Sequence, residues 1–143
     1  MKTLRSFALH AALVTFLCAP MAKAEPQSLY ERLGGTANVQ AIADDVVEHA
    51  AHDPHLKRTY DKVNLGRVKR LLAEQICSLT GGGCTYTEDS MHDVHAGMGI
   101  TEAEFFGLVE VLRDSMRRHG VGQRERNELL RILAPMKRDI VER

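Results

Sequence analysis

From residue 28 onward apolar residues recur every three or four positions, and no stretch alternates with the period of two that a half-buried strand needs. The pattern predicts an all-α chain. Ser28-Leu-Tyr-Glu-Arg-Leu33 reads as a short amphipathic turn, with Ser28 placed to cap it and Glu31 at the position from which a carboxylate reaches back. Gly34-Gly35 stops it. Thr36 opens a second helix carrying Val39, Ile42, Ala43, Val46, Val47 and Ala50 on one face. Asp53-Pro54 marks a turn, and Pro54 suits the first position of a short following helix.

Asn64 starts another helix, with Val68, Leu71, Leu72, Ile76 and Leu79 on one side and Arg67, Lys69, Arg70 and Glu74 largely elsewhere. Gly81-Gly82-Gly83 ends it. A loop containing Tyr86 leads to a brief helix from Ser90 to Ala96. Thr101-Glu-Ala-Glu104 is a capping box that opens a long helix through Phe105, Leu108, Val109, Val111, Leu112 and Met116, stopped near Gly120. A last helix runs from Gln123 through Leu129, Leu130, Ile132, Leu133, Met136 and Ile140. Pro135 lies inside it and is expected to kink it. On periodicity alone this is compatible with a four-helix bundle.

The first residues follow a different logic. Lys2 and Arg5 precede an apolar run from Phe7 to Ala19, and Ala22-Lys23-Ala24 fits a small-x-small cleavage site. Residues 1–24 therefore read as a secretory signal, with a mature domain of 25–143 exported to the periplasm or beyond. An apolar run of about 13 residues falls short of the roughly 20 that span a bilayer, so no membrane insertion is expected after cleavage. The whole chain balances 19 basic against 19 acidic residues; removing Lys2, Arg5 and Lys23 leaves 16 against 19, a net charge of −3. Nothing in that balance suggests a nucleic-acid partner. A mature length of 119 residues suits one domain with one modest core.

Cys18 leaves with the leader, so the mature chain keeps Cys77 and Cys84 in Cys77-Ser-Leu-Thr-Gly-Gly-Gly-Cys84. In an oxidising compartment an even pair this close suggests a disulfide, which the flexible glycine run would allow. Two free thiols, or a pair of soft-metal ligands, are the alternatives.

Six histidines remain in the mature chain: His49, His52, His55, His92, His95 and His119. His92 and His95 stand three apart, so one points inward and the other out. Met91 shares a face with His95 through its i,i+4 spacing, and Ala96-Gly97 would let a planar group approach the backbone. On these residues alone, His95 reads equally as a satisfied core histidine or as a metal ligand. The run His49-Ala-Ala-His52-Asp-Pro-His55 has a spacing that can hold a divalent cation, although most such surface histidines are merely solvated. There is no Walker loop, no GxGxxG and no Cys-x-x-Cys-His, so covalent c-type haem is not expected.

Taken in order, Leu29-Tyr-Glu-Arg-Leu-Gly-Gly35, a glycine pair near 82, Tyr86, Met91-x-x-x-His95 and Ile100-x-x-x-x-Phe105 resemble the group I truncated haemoglobins. The resemblance spans about Ser28 to Val141. It implies a two-over-two helical sandwich around a non-covalent haem b. His95 corresponds to the proximal iron ligand, with its other N–H donating to a backbone carbonyl one turn earlier, near Met91. Ile100 and Phe105 match haem-packing positions, with Met91, Leu108 and Val109 as neighbours. Arg67 and Lys69 are candidates for the propionates and read equally well as surface charges.

The distal side departs from the family. Val47 stands where many members have a Tyr, Leu72 where they have a Gln, and Val68 at the distal gate. Tyr60 replaces a Phe and is the one nearby hydroxyl. The function this implies is reversible binding of a diatomic gas (O2, NO or CO) to a five-coordinate or water-ligated haem in a mainly apolar pocket. Oxygen should bind weakly there, because no strong donor holds it. The alternatives are a haem redox protein or a His-rich helical metal-binding module. The redox reading covers NO dioxygenation with an unidentified reductase, peroxidase-like turnover and electron transfer. The reading favours a gas-binding protein over an enzyme.

Overall fold

Four of the seven α-helices among the described residues begin where a side chain satisfies a free N–H group of the first turn. In the computed structural model, which describes residues 26–143, the helix α1 (Leu29–Arg32) starts on the expected reciprocal box. Glu31 N–H donates to Ser28 Oγ at 3.2 Å, and Ser28 N–H donates to the Glu31 carboxylate at 2.8 Å. The helix α2 (Gly35–His52) starts one residue earlier than expected, on the left-handed backbone of Gly34, with no side-chain cap. Asn64 caps α3 (Leu65–Leu79), Ser90 caps α4 (Met91–His95), and Thr101 with Glu104 boxes α5 (Glu102–Arg118). The leader 1–24 and its cleavage site lie outside the described residues.

Two proline expectations resolve differently. Pro54 lies in a turn, and the short helix that follows is a 3-10 segment, Lys57–Tyr60, beginning three residues later. Pro135 sits in a single 3-10 turn, Ala134–Met136, that joins α6 (Gln123–Leu133) to α7 (Lys137–Ile140). A residue without an N–H removes one α-helical bond, and the tighter turn absorbs the loss.

The described residues are all-helical. Helix α2 packs chiefly on α3 and α5, and α5 packs on α6, giving two helix pairs laid one over the other. All six apolar residues expected on the inner face of α2 are buried. Five of them, all but Val47, share one core with Leu33, Ile76, Leu112, Met116 and Leu129. Ser115, fully buried, donates to the Ile42 carbonyl at 3.3 Å and to Asp45 at 2.8 Å, a polar tie between α5 and α2.

Helix α3 corrects one expectation. Its buried residues are Ala73, Ile76 and Cys77, while Val68, Leu71 and Leu72 are half-buried and Leu79 is 37% exposed. The apolar stripe thus mixes sealed and half-open positions, which a single periodicity cannot separate.

Of the three states open to the cysteines, the structure holds the bridge: Cys77 and Cys84 are disulfide-bonded, with Cα atoms 5.6 Å apart. Gly82 makes the turn possible. Its N–H donates to the Cys77 carbonyl at 2.9 Å, and a Cβ there would lie 2.5 Å from Cys77 Sγ and 2.7 Å from the Tyr30 ring.

Candidate functional site

His95 is the last residue of α4, a helix that Ser90 starts by accepting from the Asp93 N–H at 3.2 Å. Its ring is half-buried, and Nδ1 lies 2.7 Å from the Met91 carbonyl oxygen. A carbonyl can only accept, so Nδ1 carries the hydrogen, and in the neutral imidazole Nε2 is the nitrogen with the lone pair. That is the donor chemistry a transition metal takes from histidine. His92, three residues earlier, is exposed and 3.1 Å from Asp93, which raises the pKa of its imidazole through that hydrogen bond. The inward and outward roles divide as the spacing suggested.

The apolar candidates fall into two groups. Ile100 is buried, and Tyr60, Leu72 and Leu108 are half-buried and pack against the core. Val68, Met91, Phe105 and Val109 are half-buried too, on α3, α4 and the first half of α5. Val47, on α2, is 1% exposed. Among these candidates Tyr60 alone carries a hydroxyl. That hydroxyl makes no hydrogen bond among the described residues, and burial pushes its pKa up to about 12. It is therefore a protonated donor across the physiological range.

Arg67 and Lys69 are not free cations. Arg67 pairs with Glu88 at 2.5 Å and Lys69 with Glu48 at 2.8 Å. Each reads first as a surface ion pair, a class worth little in water.

Several residues at the site carry no sequence signal. Gln75, on α3, donates its amide to Met91 Sδ at 2.9 Å and approaches Met136 Sδ at 3.6 Å. All three line a cleft of about 280 Å³ between α3, the 80–90 loop and α4. Thioethers are weak acceptors, so this amide is poorly satisfied. A larger cleft of about 500 Å³, bordered by His55, Leu56, Arg58, Thr101, Glu104 and Gly107 among others, contains none of the expected pocket residues. The glycines after His95 also have a role other than admitting a planar group: Gly97 and Gly99 adopt φ of 78° and 61°. Their N–H groups bind the Glu142 carboxylate, while Arg58 donates to the carbonyls of Met98 and Gly99.

The histidine run does not gather into a metal site. His49, His52 and His55 are all exposed, and among the described residues no three ligand-type side chains come together.

The donor set fits a haem: one imidazole whose Nδ1 is held by a carbonyl, with half-buried apolar side chains available on α3, α4 and α5. Comparison with known proteins agrees. Residues 28–142 match the bacterial-like globin family. A group 1 truncated hemoglobin of Mycolicibacterium paratuberculosis is 30% identical over 124 residues, covering 87% of this chain and 91% of that protein. The fold matches a crystal structure of the truncated hemoglobin of Tetrahymena pyriformis in its Fe(III) form, with TM-score 0.78 and 21% identity over 82% of this chain and all of that one. It also matches a Synechococcus 2/2 hemoglobin solved in the cyanomet state with covalently attached heme, with TM-score 0.75, 23% identity and the same coverage. The chain belongs to the bacterial-like globins, and within them to the group I truncated haemoglobins.

Proposed function

We propose that this chain holds haem b non-covalently through His95 Nε2 and reversibly binds diatomic gases on an otherwise apolar distal side. The observation that carries the reading is the 2.7 Å bond from His95 Nδ1 to the Met91 carbonyl. It fixes both the tautomer and the rotation of the ring, and a hydrogen bond on the far nitrogen strengthens the near one as a ligand. When bound, ferrous haem supplies an iron that takes O2, NO or CO.

The chain's own residues do the rest. Val68, Leu72, Met91, Ile100, Phe105, Leu108 and Val109 offer apolar surface that excludes water, and burying a macrocycle there stabilises it by roughly 25 cal/mol per Å². Val47 and Leu72 offer a gas ligand no donor. Tyr60 is the single hydroxyl that can turn toward it, and its protonation up to about pH 12 keeps the O–H available. Arg67 and Lys69 are the α3 cations proposed for the propionates, each exchanging a carboxylate partner it now holds. Oxygen release is fast on this reading. Export of a mature domain 25–143 belongs to the same proposal; the Cys77–Cys84 bridge supports it, because such bridges persist in oxidising compartments.

The test is spectroscopic. The chain reconstituted with haem should show a five-coordinate ferrous spectrum that sharpens to a single six-coordinate form with CO, and His95→Ala should abolish the five-coordinate species. A six-coordinate low-spin ferrous spectrum without added ligand would overturn the reading.

A further inference from the structure

Helix α4 has five residues, none of them fully buried, and packs against α7, so its own length does not fix the end where His95 sits. The turn after it is gripped instead by groups from two distant parts of the chain. Glu142 accepts from Gly97 N–H at 2.5 Å with one carboxylate oxygen and from Gly99 N–H at 2.7 Å with the other. From the Lys57–Tyr60 segment, the Arg58 guanidinium donates to the carbonyls of Met98 at 3.1 Å and Gly99 at 2.9 Å, and to Glu104 at 2.5 Å. The left-handed backbone of the two glycines lets both N–H groups converge on one carboxylate, as in other anion-binding nests.

The tail that delivers Glu142 is itself tied down. The N–H groups of Glu142 and Arg143 donate to the Ile100 carbonyl at 2.9 and 3.3 Å, and Glu102 N–H donates to the Arg143 carbonyl at 3.1 Å. A Cβ at Gly99 would run into the Arg143 guanidinium, so the tail is seated against backbone. Hydrogen bonds to an ionised carboxylate are the strong class, and two of them close on this one turn.

We propose that the C-terminal tail, through Glu142, is a positioning element for His95. With Arg58 opposite, it fixes the turn after α4 and so the direction in which Nε2 presents its lone pair. The inference rests on the reading of His95 as the iron ligand.

Glu142→Gln and, separately, Arg58→Gln test it in the haem-loaded full chain. Resonance Raman of the ferrous protein should show the iron–histidine stretching band displaced or broadened in both variants. Haem transfer to a scavenging apoglobin should run roughly tenfold faster, the fold-change that corresponds to about 1.4 kcal/mol. Helix content should be unchanged, and amide exchange at Gly97 and Gly99 without haem should accelerate in Glu142→Gln. Variants that melt earlier yet keep the wild-type band and transfer rate would show a tail that only stabilises the fold, and would overturn the proposal. Should Glu142→Gln not fold, Arg58→Gln reads the same turn from its other side. A wild-type protein lacking the band, or one that keeps it in His95→Ala, overturns the His95 assignment itself; faster amide exchange in Glu142→Gln would then leave the clamp standing without its role toward iron.

Discussion

Leu72→Gln places a donor at the position where many truncated haemoglobins carry one. Leu72 is half-buried on α3 and packs against the core, so the longer amide enters the pocket from a rigid helix. The substitution exchanges partial apolar burial for a polar group with no protein partner, which lowers stability by about 1–3 kcal/mol. In return a hydrogen bond to a partly negative oxygen ligand contributes about 1–1.5 kcal/mol, and release slows roughly 5- to 12-fold. Stopped-flow displacement of oxygen by excess CO reads the release rate directly. The CO association rate, which depends less on a donor, should stay within about twofold of wild type. Leu71→Gln is the control, since one residue turns about 100° around a helix of 3.6 residues per turn. Unchanged oxygen release in a spectroscopically intact Leu72→Gln, or equal slowing in Leu71→Gln, would refute the placement of Leu72 on the distal side.

Two further outcomes test parts of the fold. Reducing the Cys77–Cys84 bridge, which joins residues seven apart, should cost about 2.5 kcal/mol and lower Tm by about 10 °C, read by calorimetry with and without reductant; a fall under about 2 °C would show that the ring constrains little. Arg58 beside Glu104 holds that carboxyl down from 4.5 to about 2. A folded pKa below the unfolded one means that the carboxylate stabilises the fold above pH 4.5 and that this contribution fades as pH falls toward about 2. Urea titrations between those limits should therefore show a shallower acid slope in Arg58→Gln, and equal slopes would remove Arg58 as the cause.

What the sequence made legible was local. Ser28 with Glu31, Asn64, Ser90, and Thr101 with Glu104 act within three residues of themselves, so each helix start could be read without knowing the fold. The bond from His95 to Met91 is of the same kind, four residues apart on one face. The α3 stripe was harder, because Ile76 is sealed in the core while Leu72, four residues earlier, stays half-open, and one period cannot tell them apart. Arg58 and Glu142 carried no signal at all. Their partners lie 40 or more residues away, and an exposed Arg or Glu looks the same in sequence whether or not a turn has been built to meet it. Gly97 stood out as a small residue, but the left-handed backbone that it shares with Gly99 meets a carboxylate 45 and 43 residues further along the chain.

The Cys77–Cys84 bridge has two unlike ends: Cys77 is 2% exposed, and Cys84 stands in water. An incoming thiolate can reach only Cys84, and the electrons must then leave on Cys77. That departing sulfur would develop its negative charge beneath Tyr30 and Gly82, where little water can solvate it. Attack is thus confined to one sulfur, and the sulfur it must expel is a poor leaving group. A mixed disulfide formed at Cys84 also stays within reach of the freed Cys77 thiol, whose return re-forms the ring and expels the intruder. The bridge should outlast its modest share of the folding energy, surviving reductant as a slow step rather than as a strong bond.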